Sequence, residues 1–206
     1  MTVSATRPQN DVEDEHSGTP VIVGLAASAG GPNALAVVLA GLHGIDAGIL
    51  VVQHIQGQFL DGFVEWMIRA SALPVRVAEN GSRVQRGTVH VGPADVHLRI
   101  GLGTRIQLDP EPDVTHRPSA DELFRSMAKA APGRSVGVLL TGMGDDGAKG
   151  LLELRERGGK TIVQDEDSST VYGMPRAAAR LDAADVILPL DEIAPAIMRA
   201  VRSRRR

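Results

Sequence analysis

Apolar residues in this chain come in short dense runs, each followed by a stretch in which they recur every three or four positions. Val21-Ile22-Val23-Gly24-Leu25, Ile49-Leu50-Val51-Val52 and Val136-Gly137-Val138-Leu139-Leu140 are the clearest runs. Continuous rather than alternating hydrophobicity predicts strands buried on both faces, as in a parallel sheet. Behind the first run, Pro32 suits the opening turn of a helix, and Leu35, Val38, Leu39 and Leu42 share one face. Behind the second, Phe59, Phe63, Trp66 and Met67 predict another amphipathic helix, closed before Leu73-Pro74. Ser119 and Glu122 have capping-box spacing ahead of Leu123, Phe124, Met127 and Ala128. Strands near 135–140, 160–164 and 185–188 then alternate with helices near 147–157, 175–181 and 191–203. The pattern predicts the α/β class: a doubly wound, mainly parallel sheet flanked by helices.

Residues 75–108 break the alternation. Val75-Arg76-Val77, Thr88-Val89-His90-Val91, Val96-His97-Leu98-Arg99-Ile100 and Arg105-Ile106-Gln107-Leu108 are short β-like runs. They predict a small antiparallel β insertion with turns at Asn80-Gly81 and Gly101-Leu102-Gly103. His90 and His97 alternate with apolar neighbours there, so both are expected to face solvent. Residues 1–19 are polar and carry neither period, which predicts a flexible leader. A single domain is expected over 20–201. Arg202-Ser203-Arg204-Arg205-Arg206 reads as a solvated basic tail complementing the negative end of the last helix.

Composition narrows the function classes. A length of 206 residues with 43% hydrophobic content supports one core of ordinary size. No stretch approaches the roughly 20 continuous apolar residues of a membrane span, and the polar, acidic N-terminus lacks the apolar centre of a signal peptide. A cytoplasmic protein without membrane insertion is expected. With no cysteine, a thiol nucleophile, a thiolate metal site and a disulfide are all excluded. A net charge of -3 and 2% aromatic residues argue against nucleic acid as a partner.

The candidate chemistry sits where predicted strands end. Ser28 stands on the turn between the first run and Ala29-Gly30-Gly31-Pro32, beside the partial positive charge of a helix N-terminus. A hydroxyl there suits a nucleophile whose attack creates an oxyanion. His54 follows the second run and is the best-placed base, with His116 a competitor. Asp145 and Asp146, in Thr141-Gly142-Met143-Gly144-Asp145-Asp146-Gly147, follow the third, and Asp165-Glu166-Asp167 follows another strand. Spacing does not choose among these carboxylates. In an open parallel sheet the strand C-termini face one crevice, so residues distant in sequence can meet there. The glycines alone indicate only a close helix–sheet approach. G-x-G-x-x-G and G-x-x-x-x-G-K-[ST] are absent, and Ala26 breaks the G-x-S-x-G elbow of the α/β-hydrolases.

Five segments in order carry a resemblance. They are Leu25-Ala26-Ala27-Ser28-Ala29-Gly30-Gly31, Val51-Val52-Gln53-His54, His116-Arg117-Pro118-Ser119, Leu140-Thr141-Gly142-Met143-Gly144-Asp145-Asp146-Gly147 and Tyr172-Gly173-Met174-Pro175-Arg176. From about Val21 to about Val201 the chain resembles the catalytic domain of the CheB family of chemotaxis protein-glutamate methylesterases. The resemblance implies Ser28 as nucleophile, His54 as base and Asp146 as orienting acid. It implies hydrolysis of glutamate γ-methyl esters on methyl-accepting chemotaxis receptors or similar methylated signalling proteins, often with glutamine deamidation, and no metal or organic cofactor. Backbone amides around Gly30, Gly31 and Met143 are the candidate oxyanion donors. Family members carry a phosphorylatable receiver domain, whereas only about 20 residues precede the first run here. Constitutive activity or a separate regulatory protein is therefore expected. A serine esterase of different substrate and a non-catalytic receptor-binding adaptor are the alternatives.

Overall fold

The computed structural model describes residues 19–112 and 114–204. The expected leader therefore lies outside the described residues except for its last position, as do the last two arginines of the tail. Nine strands and six helices are present among the described residues. β1 (Val21–Ala27), α1 (Gly31–Ala40), β2 (Ala47–Gln53), α2 (Leu60–Ala70), β3 (Val75–Val77) and β4 (Val89–Val91) form the first half. A hairpin of β5 (His97–Ile100) and β6 (Ile106–Asp109) follows, then α3 (Ala120–Ala130). β7 (Ser135–Leu139), α4 (Ala148–Glu156), β8 (Lys160–Gln164), α5 (Met174–Arg180), β9 (Val186–Leu188) and α6 (Leu190–Ser203) complete the chain. α6 ends at Ser203, where the helix expected near 191–203 ends, so the basic tail starts within its last turn.

The main sheet has the order β3-β4-β2-β1-β7-β8-β9, and every pairing in it is parallel. Each side chain of β1 is buried, which is why its sequence is a continuous apolar run. Val21, Val23 and Leu25 face one layer with Leu35 and Leu39 of α1 and Ile193 and Ile197 of α6. Ile22 and Ala26 face the other, with Leu123 and Phe124 of α3, Leu151 of α4 and Met174 of α5. The chain leaves β1 through α1 on one face and β7 through α4 on the other. The strand order thus switches direction between β1 and β7, the place where an open α/β sheet forms a crevice. Among the described residues, no helix is long and apolar enough to cross a membrane.

The insertion is smaller than the sequence pattern predicts. Only β5 and β6 pair antiparallel, with His97 opposite Asp109 and Ile100 opposite Ile106. Val75–Val77 and Val89–Val91 belong instead to the parallel sheet, where β4 hydrogen-bonds to both β2 and β3. Asn80-Gly81 turns within the β3–β4 connection and does not close a hairpin. Short strands with a polar residue between two valines look amphipathic, but β4 lies inside the sheet and is covered on both faces.

His90 and His97 are accordingly buried, at 2% and 0% exposure, rather than solvent-facing. His90 Nε2 accepts the Gln85 amide at 3.2 Å. Burial, helped by the Arg76 charge, lowers its pKa from 6.5 to about 4. Between those values the unfolded chain takes up a proton that the folded chain refuses, so stability is full above pH 6.5 and falls as pH drops toward 4. Roughly 2–3 kcal/mol of the acid-side loss is expected from this residue. Urea unfolding of His90→Asn should show a correspondingly shallower fall between pH 7 and pH 4, and an unchanged slope would refute a neutral buried imidazole.

Candidate active site

Ser28 follows β1 at the switch in strand order, and its backbone is held from both sides. Its N–H donates to the Thr141 carbonyl at 3.0 Å, beyond β7. On the other side, Ala27 pairs with Gln53 and the His54 N–H donates to the Ala27 carbonyl at 3.1 Å. That parallel register brings Ser28 and His54, each one residue beyond the paired ends of β1 and β2, onto adjacent chains. The serine carbonyl then accepts the Gly31 amide at 2.8 Å, closing a tight turn into α1. Gly30, at φ 76°, supplies the left-handed residue that this turn requires.

His54 and Asp146 are joined directly, with His54 Nε2 donating to Asp146 Oδ2 at 2.8 Å. Asp146 lies just before α4, yet its carboxylate caps another helix. Oδ2 also accepts the Ala120 amide at 2.7 Å, while Oδ1 accepts the Asp121 amide at 3.1 Å and the Ser119 hydroxyl at 2.7 Å. The first-turn amides of α3, which have no intrahelical acceptors, thus close on a carboxylate at the positive end of the helix. Burial pushes the Asp146 carboxyl upward, but the bonds from His54, Ala120, Asp121 and Ser119 outweigh it and hold the pKa at about 2. An ionised Asp146 fixes the proton on Nε2 and leaves a lone pair on His54 Nδ1, a buried atom with no partner among the described residues.

The other carboxylates lie elsewhere. Asp145 is exposed. Asp165 Oδ1 accepts the Ser168 amide and hydroxyl at 3.0 and 2.6 Å in a local turn. His116 does reach the site, with its ring centroid 4.2 Å from that of His54. Glu122 does not complete the capping box: Ser119 Oγ accepts the Glu122 amide, but the Ser119 amide donates to His97 Nδ1 and the Glu122 carboxylate pairs with Arg99.

Several positioning residues escaped the sequence reading. The Gln53 amide group, 3% exposed, donates to the Ser28 carbonyl at 2.9 Å and to the His54 carbonyl at 3.0 Å, tying the two loops together. Gln164, fully buried, accepts the Thr141 amide at 2.8 Å and donates to the Ser168 carbonyl. Each is a polar amide directly after two buried apolar residues at the end of a strand, Val51-Val52 and Ile162-Val163, and this was the available signal. Gly142 serves close packing, since a Cβ there would lie 2.8 Å from Ser28 Cβ. The Gly142 carbonyl accepts the Gly173 and Met174 amides at 3.1 and 2.9 Å, so the Tyr172–Arg176 segment buttresses the serine loop. Of the three candidate oxyanion donors, Gly31 already gives its amide to Ser28; the Gly30 and Met143 amides donate to no acceptor among the described residues. No group of three potential metal ligands occurs among the described residues.

A serine and a histidine at the ends of adjacent strands, with that histidine bonded to a part-buried carboxylate, is an arrangement that serine hydrolases use. Residues 23–197 match the family model for CheB methylesterase. The chain belongs to the CheB methylesterase family. A protein-glutamate methylesterase/protein-glutamine glutaminase of Cupriavidus metallidurans is 46% identical over 189 residues, which is 91% of this chain and 56% of that protein. One from Burkholderia lata is 48% identical over 180 residues, 86% of this chain and 54% of that protein. The chain therefore spans about half the length of these curated relatives. The crystal structure of the Thermotoga maritima CheB methylesterase catalytic domain superposes with a TM-score of 0.84 at 30% identity, covering 88% of this chain and 99% of that one. The fold described above, small hairpin included, is thus that of a CheB catalytic domain.

Because the Asp146 carboxyl is held below its ordinary 3.8, its contribution to stability is complete above about pH 4 and is lost as pH falls through about 2. Asp146→Asn is expected to destabilise the fold by about 2 kcal/mol at pH 7. Urea unfolding of the two proteins should converge as pH is lowered from 4 toward 2; a gap independent of pH would show that the carboxylate charge contributes nothing.

Proposed function

We propose that this domain demethylates glutamate γ-methyl esters through Ser28 as nucleophile, His54 as base and Asp146 as orienting acid. The substrate is a methyl-accepting chemotaxis receptor or a similar methylated signalling protein, met in the cytoplasm. The observation that carries the proposal is the 2.8 Å bond from His54 Nε2 to Asp146, with His54 and Ser28 each one residue beyond the Ala27–Gln53 pair. The names of the relatives support the substrate class, including glutamine side chains as a second one.

In this mechanism the Nδ1 lone pair of His54 takes the Ser28 proton as Oγ attacks the ester carbonyl carbon. The carbonyl oxygen becomes an oxyanion facing the Gly30 and Met143 amides, where preorganised donors act most strongly. His54 Nδ1 passes its proton to the departing methoxide, and methanol leaves an acyl-serine. Water then gives a proton to Nδ1 and attacks the acyl carbon, and collapse of the second tetrahedral adduct frees the glutamate carboxyl and reprotonates Ser28. Asp146 stays ionised and opposes each transient imidazolium charge. With a glutamine side chain the same cycle releases ammonia. Control by a separate regulatory protein remains part of the proposal, without residues assigned to it.

The test is to incubate the purified chain with methyl-labelled receptor cytoplasmic fragments and collect volatile label. Wild type should release it, and Ser28→Ala should lose at least about 1000-fold in rate with its thermal midpoint preserved. Substantial release by Ser28→Ala would remove the nucleophile assignment. Turnover of simple esters without receptor turnover would favour a different esterase, and failure of a fluorophosphonate to label Ser28 would favour an adaptor.

A further inference from the structure

His116 has no part in the proton transfers above, yet its position is tightly determined. The segment carrying it is fastened to the β5–β6 hairpin, with His97 Nε2 donating to the Pro112 carbonyl at 2.8 Å and His97 Nδ1 accepting the Ser119 amide at 3.2 Å. The Asp95 amide donates to the Arg117 carbonyl at 3.3 Å. Held in this way, the half-buried His116 ring lies against the His54 ring with centroids 4.2 Å apart and planes inclined at 47°. His54 is thus gripped at Nε2 by Asp146 and on one face by an aromatic ring, while Nδ1 is left for chemistry.

The charges around His116 come from three sides. His54 faces it from the end of β2, and Asp145 and Asp146 face it from the loop after β7. Asp121, Glu122 and Arg125 of α3 and Lys149 of α4 line the same cleft. Burial is the main influence and draws the His116 pKa below 6.5; a charge on His54 lowers it further, and the two aspartates pull it back upward. A second imidazolium at this separation would oppose the one that forms on His54 during attack and acyl transfer, so the ring helps only while it is neutral.

We propose that His116 is a positioning residue for the esterase reaction: its neutral ring fixes the His54 imidazole and offers a π face to the imidazolium formed in each transition state. This rests on the assignment of His54 as the base for Ser28. A ring without charge should serve, a small side chain should serve poorly, and a cation should be worst. A merely structural role would not separate the last two.

The first measurement is the rate at which a fluorophosphonate labels Ser28 in wild type and in His116→Phe, His116→Ala and His116→Lys, with thermal midpoints confirming that each is folded. His116→Phe should stay within about threefold of wild type, His116→Ala should fall by about tenfold, and His116→Lys should fall further. Equal rates for all four, or a lysine variant no slower than the alanine one, would overturn the proposal. The second is an NMR titration of His116 in wild type and His54→Gln, which needs no catalysis. Loss of the facing charge should raise the His116 midpoint, and an unmoved midpoint would overturn the electrostatic coupling. If wild type is not labelled, the nucleophile assignment fails, while the titration still decides whether the rings are coupled.

Discussion

The carboxylate of Asp146 is the constraint on which the site is built. Four groups converge on its two oxygens: two first-turn amides of α3, the Ser119 hydroxyl and His54 Nε2. A part-buried carboxylate with so many donors offsets the desolvation cost that would otherwise raise its pKa. The same bonds satisfy helix-terminal amides that would otherwise lack partners, so the charge serves the fold and the imidazole together. Asp145, one residue earlier, points into solvent and has no such role.

Around that anchor, the central strands present their ends in register and rely on small residues for close approach. Gly142 leaves room for the Ser28 side chain, and Gly31 does the same for Gln53, whose Oε1 would lie 2.2 Å from a Cβ at that position. Packing at this closeness accounts for glycine at both motif positions. Thr141 adds a polar link, donating to the Ala29 carbonyl at 2.9 Å and accepting the Val171 amide at 2.9 Å.

Much of this was legible in the order of residues. The runs at Val21, Ile49 and Val136 marked the three central strands because strands buried on both faces carry no alternation. Ser28, His54 and the Asp145-Asp146 pair stood out as candidates by their place after those runs, and five segments together pointed to the family. Residues 75–91 misled because three-residue strands are too short to separate a sheet interior from an exposed hairpin; pairing with β2 decided it. His90 and His97 misled because their burial follows from tertiary cover that no local period encodes. Asp146 could not be told from Asp145 by spacing, since the choice is made by α3, which begins 26 residues earlier in the chain. Gln53 was quoted only as part of a motif, its two carbonyl contacts being visible only once β1 and β2 are adjacent.

Those two contacts have a dynamic consequence. By clasping the main chain at both Ser28 and His54, one side-chain amide couples the two backbones that carry the proposed nucleophile and base. The proposed orienting carboxylate is held separately, by the first turn of α3. Loss of that amide would therefore loosen the spacing between the proposed nucleophile and base while leaving the charge-assisted bond from the imidazole to Asp146 in place.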